Sequence, residues 1–527
     1  MPAQPDLPLS ARDASTGADA ETTPSLLAGF GRGVGWTYLS LMLTGGSTFL
    51  LAAWSVRRVG TAEYGLYALV MAVSTLLCAF DYALGLAVQR SGARAHAAPD
   101  SVAAAGHLDA VHAAHAAYLL LGVAGVAATG LAAAVLVLAG PDRIPYLVPT
   151  VALLGVATSV ELATAALPAV ALAARRFSLR NGAAIAGVVV RIVVALATVD
   201  HIGVAGLGLA QLAGMVVERA LLLRLLHSRV PWFDPRPFLP DRGALRQVTA
   251  YAGPLLLLNV SGQLFAVSDF VAIGVLVGAS AVGVYQVATL APLTGFAVLL
   301  LGYNVVFPAL AGSDDAAGQE TATAFLTGLF SYVGGTGLVL VALLRGDIVR
   351  LLLGQRSSTA EGVLLTFCGI CLANVILHGL ASLLIARGRQ GLMARVVAIE
   401  LPANVVLTVV FVVWVGAVGA AVASLATVVM MDFIVFPVIS RGEFTSRALS
   451  ITWRHGLVPA ALGGAVAVVA ARLALVADST TPRLVLGVVA AVVLGAVVGL
   501  VLLGPEGRRL VHASLGTNHD APALSAV

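Results

Sequence analysis

The sequence predicts an all-α polytopic membrane protein of about 14 transmembrane helices, built as two parallel six-helix lobes plus two C-terminal helices. Three observations predict this. Apolar residues make up 59% of the 527 and charged residues only 11%, with mean hydropathy +0.98; soluble domains run near 45–50% and about 25%. Apolar runs alternate with short polar breaks, and crossing a hydrocarbon core takes about 20 helical residues. The first six runs and the next six also share sequence features in the same order. This composition excludes a water-soluble enzyme, a disordered chain and a nucleic-acid binder.

Residues 1–28 are rich in Ala, Pro, Ser, Thr and Asp. They lack a basic stretch followed by an apolar one, so they read as a disordered cytoplasmic tail rather than a signal peptide. Residues 29–226 hold six spans, at 33–55, 64–88, 111–139, 147–172, 181–199 and 202–226. Residues 227–249 read as a cytoplasmic linker, whose prolines, aromatics and arginines suit a segment lying against anionic headgroups. Residues 250–440 hold six more spans, at 250–278, 283–308, 323–344, 360–385, 392–414 and 416–440. Two additional helices are expected within 441–504, at 455–476 and 483–503, followed by a second cytoplasmic tail at 505–527.

Arginine sets the orientation. The chain has no lysine, so all 30 basic residues are arginine. With both termini in the cytoplasm, 20 arginines fall on inner segments and eight on outer ends, while Arg191 and Arg219 lie within spans. That follows the positive-inside rule for a protein of the cytoplasmic membrane.

The repeat rests on three matches. VGTAEYGLY at 59–67 pairs with VGASAVGVY at 277–285, bringing Gly60, Gly65 and Tyr67 onto Gly278, Gly283 and Tyr285, an offset of 218. GVAGLGLAQLAGMV at 203–216 pairs with GAVGAAVASLATVV at 416–429 at an offset of 213, and Ala174-Arg175 pairs with Ala386-Arg387 at 212. Six spans per period is an even number. The halves therefore share one orientation, related by a pseudo-two-fold axis along the membrane normal, as in transporters whose halves rock about a midplane site.

The same segments resemble the polysaccharide flippase branch of the MOP (MATE, oligosaccharidyl-lipid, polysaccharide) exporter superfamily over roughly 30–445. Its marks here are RRVGTAEYGLYAL at 57–69, FDYALGLAVQR at 80–90, NVVFPAL at 304–310, LLIARGRQ at 383–390 and GAVGAAVAS at 416–424. The resemblance implies two lobes around a central cavity and the flipping of a polyprenyl-diphosphate-linked glycan, a transporter rather than an enzyme. It implies membrane lipids, glycosyltransferases and a polymerase as partners, and no nucleic acid. A cation-coupled multidrug antiporter and a lipid II flippase are alternatives within the superfamily. A major-facilitator antiporter shares the parallel halves, but the 89–110 loop lacks its Gly-Asp-Arg-Gly-Arg-type signature. A membrane glycan polymerase is disfavoured because no outer loop is large enough to carry catalytic residues.

Polar residues within spans name the candidate site, since an ionised group at the bilayer centre costs about 2.5–3.5 kcal/mol unless it faces a cavity or a partner. Glu161 and Arg191 lie at similar depths in consecutive antiparallel spans. They either form an ion pair, or Arg191 lines the cavity and binds diphosphate, a task that suits its planar fork. Asn259 and Gln263 share a helix face and either bind sugar hydroxyls or join helices. Asp269 and Asn304 are further cavity candidates, and Asn374 and His378 weaker ones. Asp81, Arg90, Arg219 and Asp432 are gate or coupling candidates, with Glu218 and Arg219 expected to reach the interface. The acids leave H+ or Na+ open as a coupling ion; no other cofactor and no metal is expected. Cys368-x-x-Cys371 lacks a second pair for a metal, and His107, His112 and His115 read as interfacial. GRGVG at 31–35 follows no strand, and a P-loop needs a lysine.

Overall fold

The computed structural model describes residues 23–97, 102–138, 146–234, 242–311, 316–387, 389–439 and 453–502, and these are helical nearly throughout. Before the linker come α1 (Thr23–Val59), α2 (Thr61–Leu77), α3 (Ala79–Ala97), α4 (Val102–Leu138), α5 (Leu147–Ala163), α6 (Ala166–Ala173), α7 (Phe177–Ile202) and α8 (Val204–Arg229). After it come α9 (Arg242–Leu276), α10 (Ala279–Ala311), α11 (Ala316–Leu343), a short α12 (Arg345–Leu353), α13 (Ser358–Ala386), α14 (Gln390–Val415) and α15 (Ala417–Met430). A π turn at Met431–Val435 continues α15 into α16 (Phe436–Ile439); another at Trp453–Leu457 leads into α17 (Val458–Ala474), and α18 (Thr480–Leu502) follows.

Twelve described helices are long and apolar enough to cross a membrane. The expected second and sixth spans are the two that fall short of that measure. The second is broken at Cys78 into α2 and α3, and α8 carries Glu218, Arg219, Arg224 and Arg229. The chain is a multi-pass membrane protein, and these two spans meet at a charged centre described below.

Boundaries differ from the sequence reading at both ends of the first lobe. α1 starts at Thr23, inside the segment read as tail, and helices α8 and α9 leave only 230–241 between them. The first part of this linker packs on protein rather than headgroups. Phe233 is 3% exposed and meets His115 edge-on, and Trp232 donates from Nε1 to His96 Nδ1 at 3.2 Å. The first turns of α9 continue this contact, with Ala244 and Val248 in one apolar cluster with Val88, Tyr118 and Leu222.

Backbone geometry repeats with the sequence. Gly60 and Gly278 precede α2 and α10 with φ 84° and 119°, and Gly203 and Gly416 join α7 to α8 and α14 to α15 with φ 54° and 69°. Left-handed φ is costly for any residue with a Cβ, so glycine recurs where the chain reverses between spans. All four turns lie on the face opposite the linker. There α2 crosses α10 at the corresponding residues Gly65 and Gly283. A Cβ on Gly65 would run into the Ala279 carbonyl, and one on Gly283 into the Thr61 carbonyl. Thr61 and Ser280 share a hydroxyl–hydroxyl bond of 2.8 Å beside the crossing. Another close approach binds α17 to α11, where a Cβ on Gly335 would strike the Ala460 carbonyl and one on Gly463 the Tyr332 carbonyl.

Candidate functional site

Three polar centres are buried in the helical bundle. In the second half, Asp269 of α9 is 3% exposed. It accepts hydrogen bonds from Tyr285 Oη at 2.7 Å, Ser424 Oγ at 2.8 Å and Thr408 Oγ1 at 2.9 Å. Asn404, fully buried, spans from Ser268 Oγ (3.3 Å) to Ser424 Oγ (3.2 Å). Among the described residues no basic side chain pairs with Asp269, so hydroxyl and amide dipoles alone hold this carboxylate. It lines a cavity of about 360 Å³ within the second half, walled by Phe265, Phe270, Phe296 and Phe367, with Asn374 and Glu400 as further polar groups.

In the first half, Arg191 of α7 is half-buried and donates from Nη2 to Thr48 Oγ1 of α1 (2.9 Å) and from Nη1 to Gln211 Oε1 of α8 (3.4 Å). Its Nε is buried without a hydrogen-bond partner, and among the described residues no carboxylate lies within ion-pair distance. Tyr67 of α2 lies within electrostatic reach.

The third centre lies closer to the linker, at the break between α2 and α3. Tyr118 Oη is 2.9 Å from Asp81 Oδ1 and 2.7 Å from the Asp81 carbonyl oxygen. Cys78 lies beside Glu161, and Arg219 and Arg180 are within electrostatic reach of Asp81. Arg219 is 8% exposed, with Nη2 3.9 Å from Glu218, Nε 3.3 Å from Met215 Sδ and Nη1 unpartnered.

These positions revise the sequence expectations. Glu161 does not meet Arg191; it sits in the centre of Asp81 and Arg219. On α8, Gln211 and Arg219 are eight residues apart, about 12 Å along the axis, so the two arginines occupy different layers. Arg219 does not reach the interface, because α8 continues to Arg229 and acids surround the guanidinium within the bundle. Of the expected cavity residues Asp269 lines the cavity, with Asn374 beside it. Asn259 and Gln263 are half-buried on a face of α9 neighbouring the lining residues Gly262 and Phe265. Arg90 is exposed at the linker end of α3. The side chains of Asn304 and Asp432 lie outside the described residues. His115 is buried at 5% exposure rather than interfacial, and no metal-holding group occurs among the described residues.

Thr48, Gln211, Asn404, Thr408 and Ser424 were not singled out by sequence, and Tyr67 and Tyr285 only as marks of the repeat. For all but Thr48 and Thr408 a signal was present in the repeat. The 213 offset carries Arg191 onto Asn404 and Gln211 onto Ser424, and the 218 offset carries Tyr67 onto Tyr285. The centres around Arg191 and Asp269 therefore use corresponding positions of corresponding helices.

The family model described as polysaccharide biosynthesis protein matches residues 30–313. No curated protein matches the sequence significantly. Among solved structures, the chain is similar to an inward-closed lipid II flippase MurJ, at 12% identity and TM-score 0.65, covering 90% of this chain and 98% of that one. It is similar to an inward-facing multidrug resistance MATE family transporter of the MOP superfamily, at 17% identity and TM-score 0.61, covering 77% and 96%. A MOP superfamily transporter from Pyrococcus furiosus matches at 14% identity and TM-score 0.59, covering 82% and 99%. At these identities the structural matches establish a shared fold.

Proposed function

The chain belongs to the polysaccharide biosynthesis protein family and has the fold of MOP superfamily transporters, and from that premise we propose that it flips a polyprenyl-diphosphate-linked glycan precursor across the cytoplasmic membrane by alternating access. The observation that carries this reading is Arg191, a cation inside the bundle whose fixed neighbours are a hydroxyl and an amide. A guanidinium without a counter-ion in that setting is costly, and an entering anion removes the cost. Its planar fork suits phosphate oxygens. The arginine distribution supports a cytoplasmic linker face. The diphosphate-sugar head enters from there while the polyprenyl chain stays in lipid.

Asp269 takes the complementary role in this reading. A buried carboxylate ringed by hydroxyls offers oxygen ligands to Na+ or a site for a proton, so a coupling ion seats in the second half and the substrate anion in the first. The aromatic walls and second carboxylate, Glu400, of the adjacent cavity favour the multidrug alternative, in which an organic cation is carried instead.

One assay separates these readings. Purified protein in proteoliposomes is offered a fluorescent lipid-linked oligosaccharide, lipid II and a cationic dye. Translocation of the first and its loss in Arg191→Ala, with expression retained, is the expected result. Undiminished translocation by Arg191→Ala rejects the assignment of the diphosphate site, and transport of the dye alone rejects the glycan.

A further inference from the structure

The face opposite the linker holds a contact between the halves that the transport centres do not use. Arg57, in the last turn of α1, points its guanidinium at the C-terminal end of α12. Nε donates to the Leu352 carbonyl at 3.3 Å, and Nη2 to the carbonyls of Arg350 (3.4 Å) and Leu351. The last carbonyls of a helix lack intrahelical partners and carry the negative end of its dipole, so a guanidinium is a fitting cap. Gly354 closes the end in a left-handed conformation (φ 78°) and donates its N–H to the Arg350 carbonyl, which Arg57 shares, while the Leu351 and Leu352 carbonyls are left to Arg57.

α12 itself is fixed to the second half. Ile348, Val349 and Leu352 are buried, Asp347 pairs with Arg483 of α18 at 3.4 Å, and Arg345 lies 4.0 Å from Glu361 of α13. The next residue, Arg58, behaves differently: it pairs with Asp200 of α7, within its own half, at 3.3 Å. Of two adjacent arginines at one helix end, one therefore spans the halves and one does not. The Arg57 contact stands beside the Gly65–Gly283 crossing and the Thr61–Ser280 bond, where the halves touch with no room for a side chain.

We propose that Arg57, donating across the boundary between the halves into the carbonyl end of α12, is a latch that holds this face closed and must release when it opens. Separating α2 from α10 at the glycine crossing carries the end of α1 away from α12, so the three carbonyl bonds break together. The contacts are solvent-accessible on one side, and water replaces the lost partners on both. The latch therefore adjusts the balance of closed and open states without trapping either. It stands whatever cargo is carried.

The test reads opening directly. A single cysteine at Ala68, a buried residue one turn beyond Gly65 on the same face of α2, is introduced with Cys78, Cys368 and Cys371 replaced by serine. Its reaction with a membrane-impermeant maleimide is timed in proteoliposomes without substrate. Arg57→Ala is expected to raise the labelling rate at least several-fold, Arg57→Lys to give an intermediate rate, and Arg58→Ala to leave it unchanged. Equal rates with and without Arg57 overturn the latch, and so does equal acceleration by Arg57→Ala and Arg58→Ala, which would mean general loosening. Should Arg57→Ala fail to fold, Arg57→Gln, which keeps two donors but no charge, is read by the same criteria.

Discussion

Arg191 and Asn404 stand at corresponding positions of α7 and α14, Gln211 and Ser424 of α8 and α15, and Tyr67 and Tyr285 of α2 and α10. In the first half this frame surrounds a guanidinium held by Thr48 and Gln211; in the second it surrounds the carboxylate of Asp269, held by Tyr285, Thr408 and Ser424. The backbone devices are shared, down to the left-handed glycines before α2 and α10 and before α8 and α15. What differs is the sign of the charge. A repeated fold supplies two equivalent frames of helices, and a few side chains decide which charge each one holds.

The largest expected effect breaks the difference. Arg191→Asn gives the first half the residue of the second. Charged hydrogen bonds contribute about 1.5–3 kcal/mol each, so glycan translocation should fall at least about tenfold, with folding retained on size-exclusion chromatography. Asn404→Arg is the reciprocal change. It places a guanidinium beside Asp269 and should abolish dependence on an imposed Na+ or proton gradient, measured as gradient-driven uptake in proteoliposomes. Persistent ion dependence in that variant would remove Asp269 from coupling. A smaller effect is expected from Gln211→Ser, which removes one long contact to Arg191 (3.4 Å); a few-fold rise in apparent KM with little change in kcat would fit a positioning role. The smallest changes test the shared backbone. Gly203→Ala and Gly416→Ala each force a Cβ into a positive-φ, extended-ψ conformation essentially confined to glycine; Gly203→Ala, whose Cβ also approaches Glu63 and Tyr146, should lose more thermal stability in detergent than Gly416→Ala, whose Cβ meets open space.

The helices were legible in the sequence because lipid demands long apolar runs and helical hydrogen bonding. The two runs that fall short of a full span were informative: span two is broken at Cys78, span six carries Glu218 and Arg219, and both contribute to the Asp81–Glu161–Arg219 centre. Neither depth nor azimuth was legible to the layer. Glu161 and Arg191 were expected at similar heights, yet Arg191 joins Thr48 of α1 and Gln211 of α8, while Glu161 lies in the layer nearer the linker with Cys78 and Arg219. The hydroxyls around Asp269 were hidden for another reason. Ser, Thr and Tyr are ordinary in membrane helices, where they often bond to their own backbone, so only their convergence in space marks them. Extending the 213-residue offset twelve residues upstream of Gly203 links Arg191 to Asn404 from sequence alone.

If the cargo carries an isoprenoid tail, as proposed, the seam between α11 and α17 restricts where that tail can leave the protein. Gly335 against Ala460, and Gly463 against Tyr332, bring backbone to backbone with no space for a methyl group. A hydrocarbon tail several times that width cannot thread between them. The final pair of helices is therefore sealed against α11 of the second half, and a sideways doorway for such a tail must open along another edge.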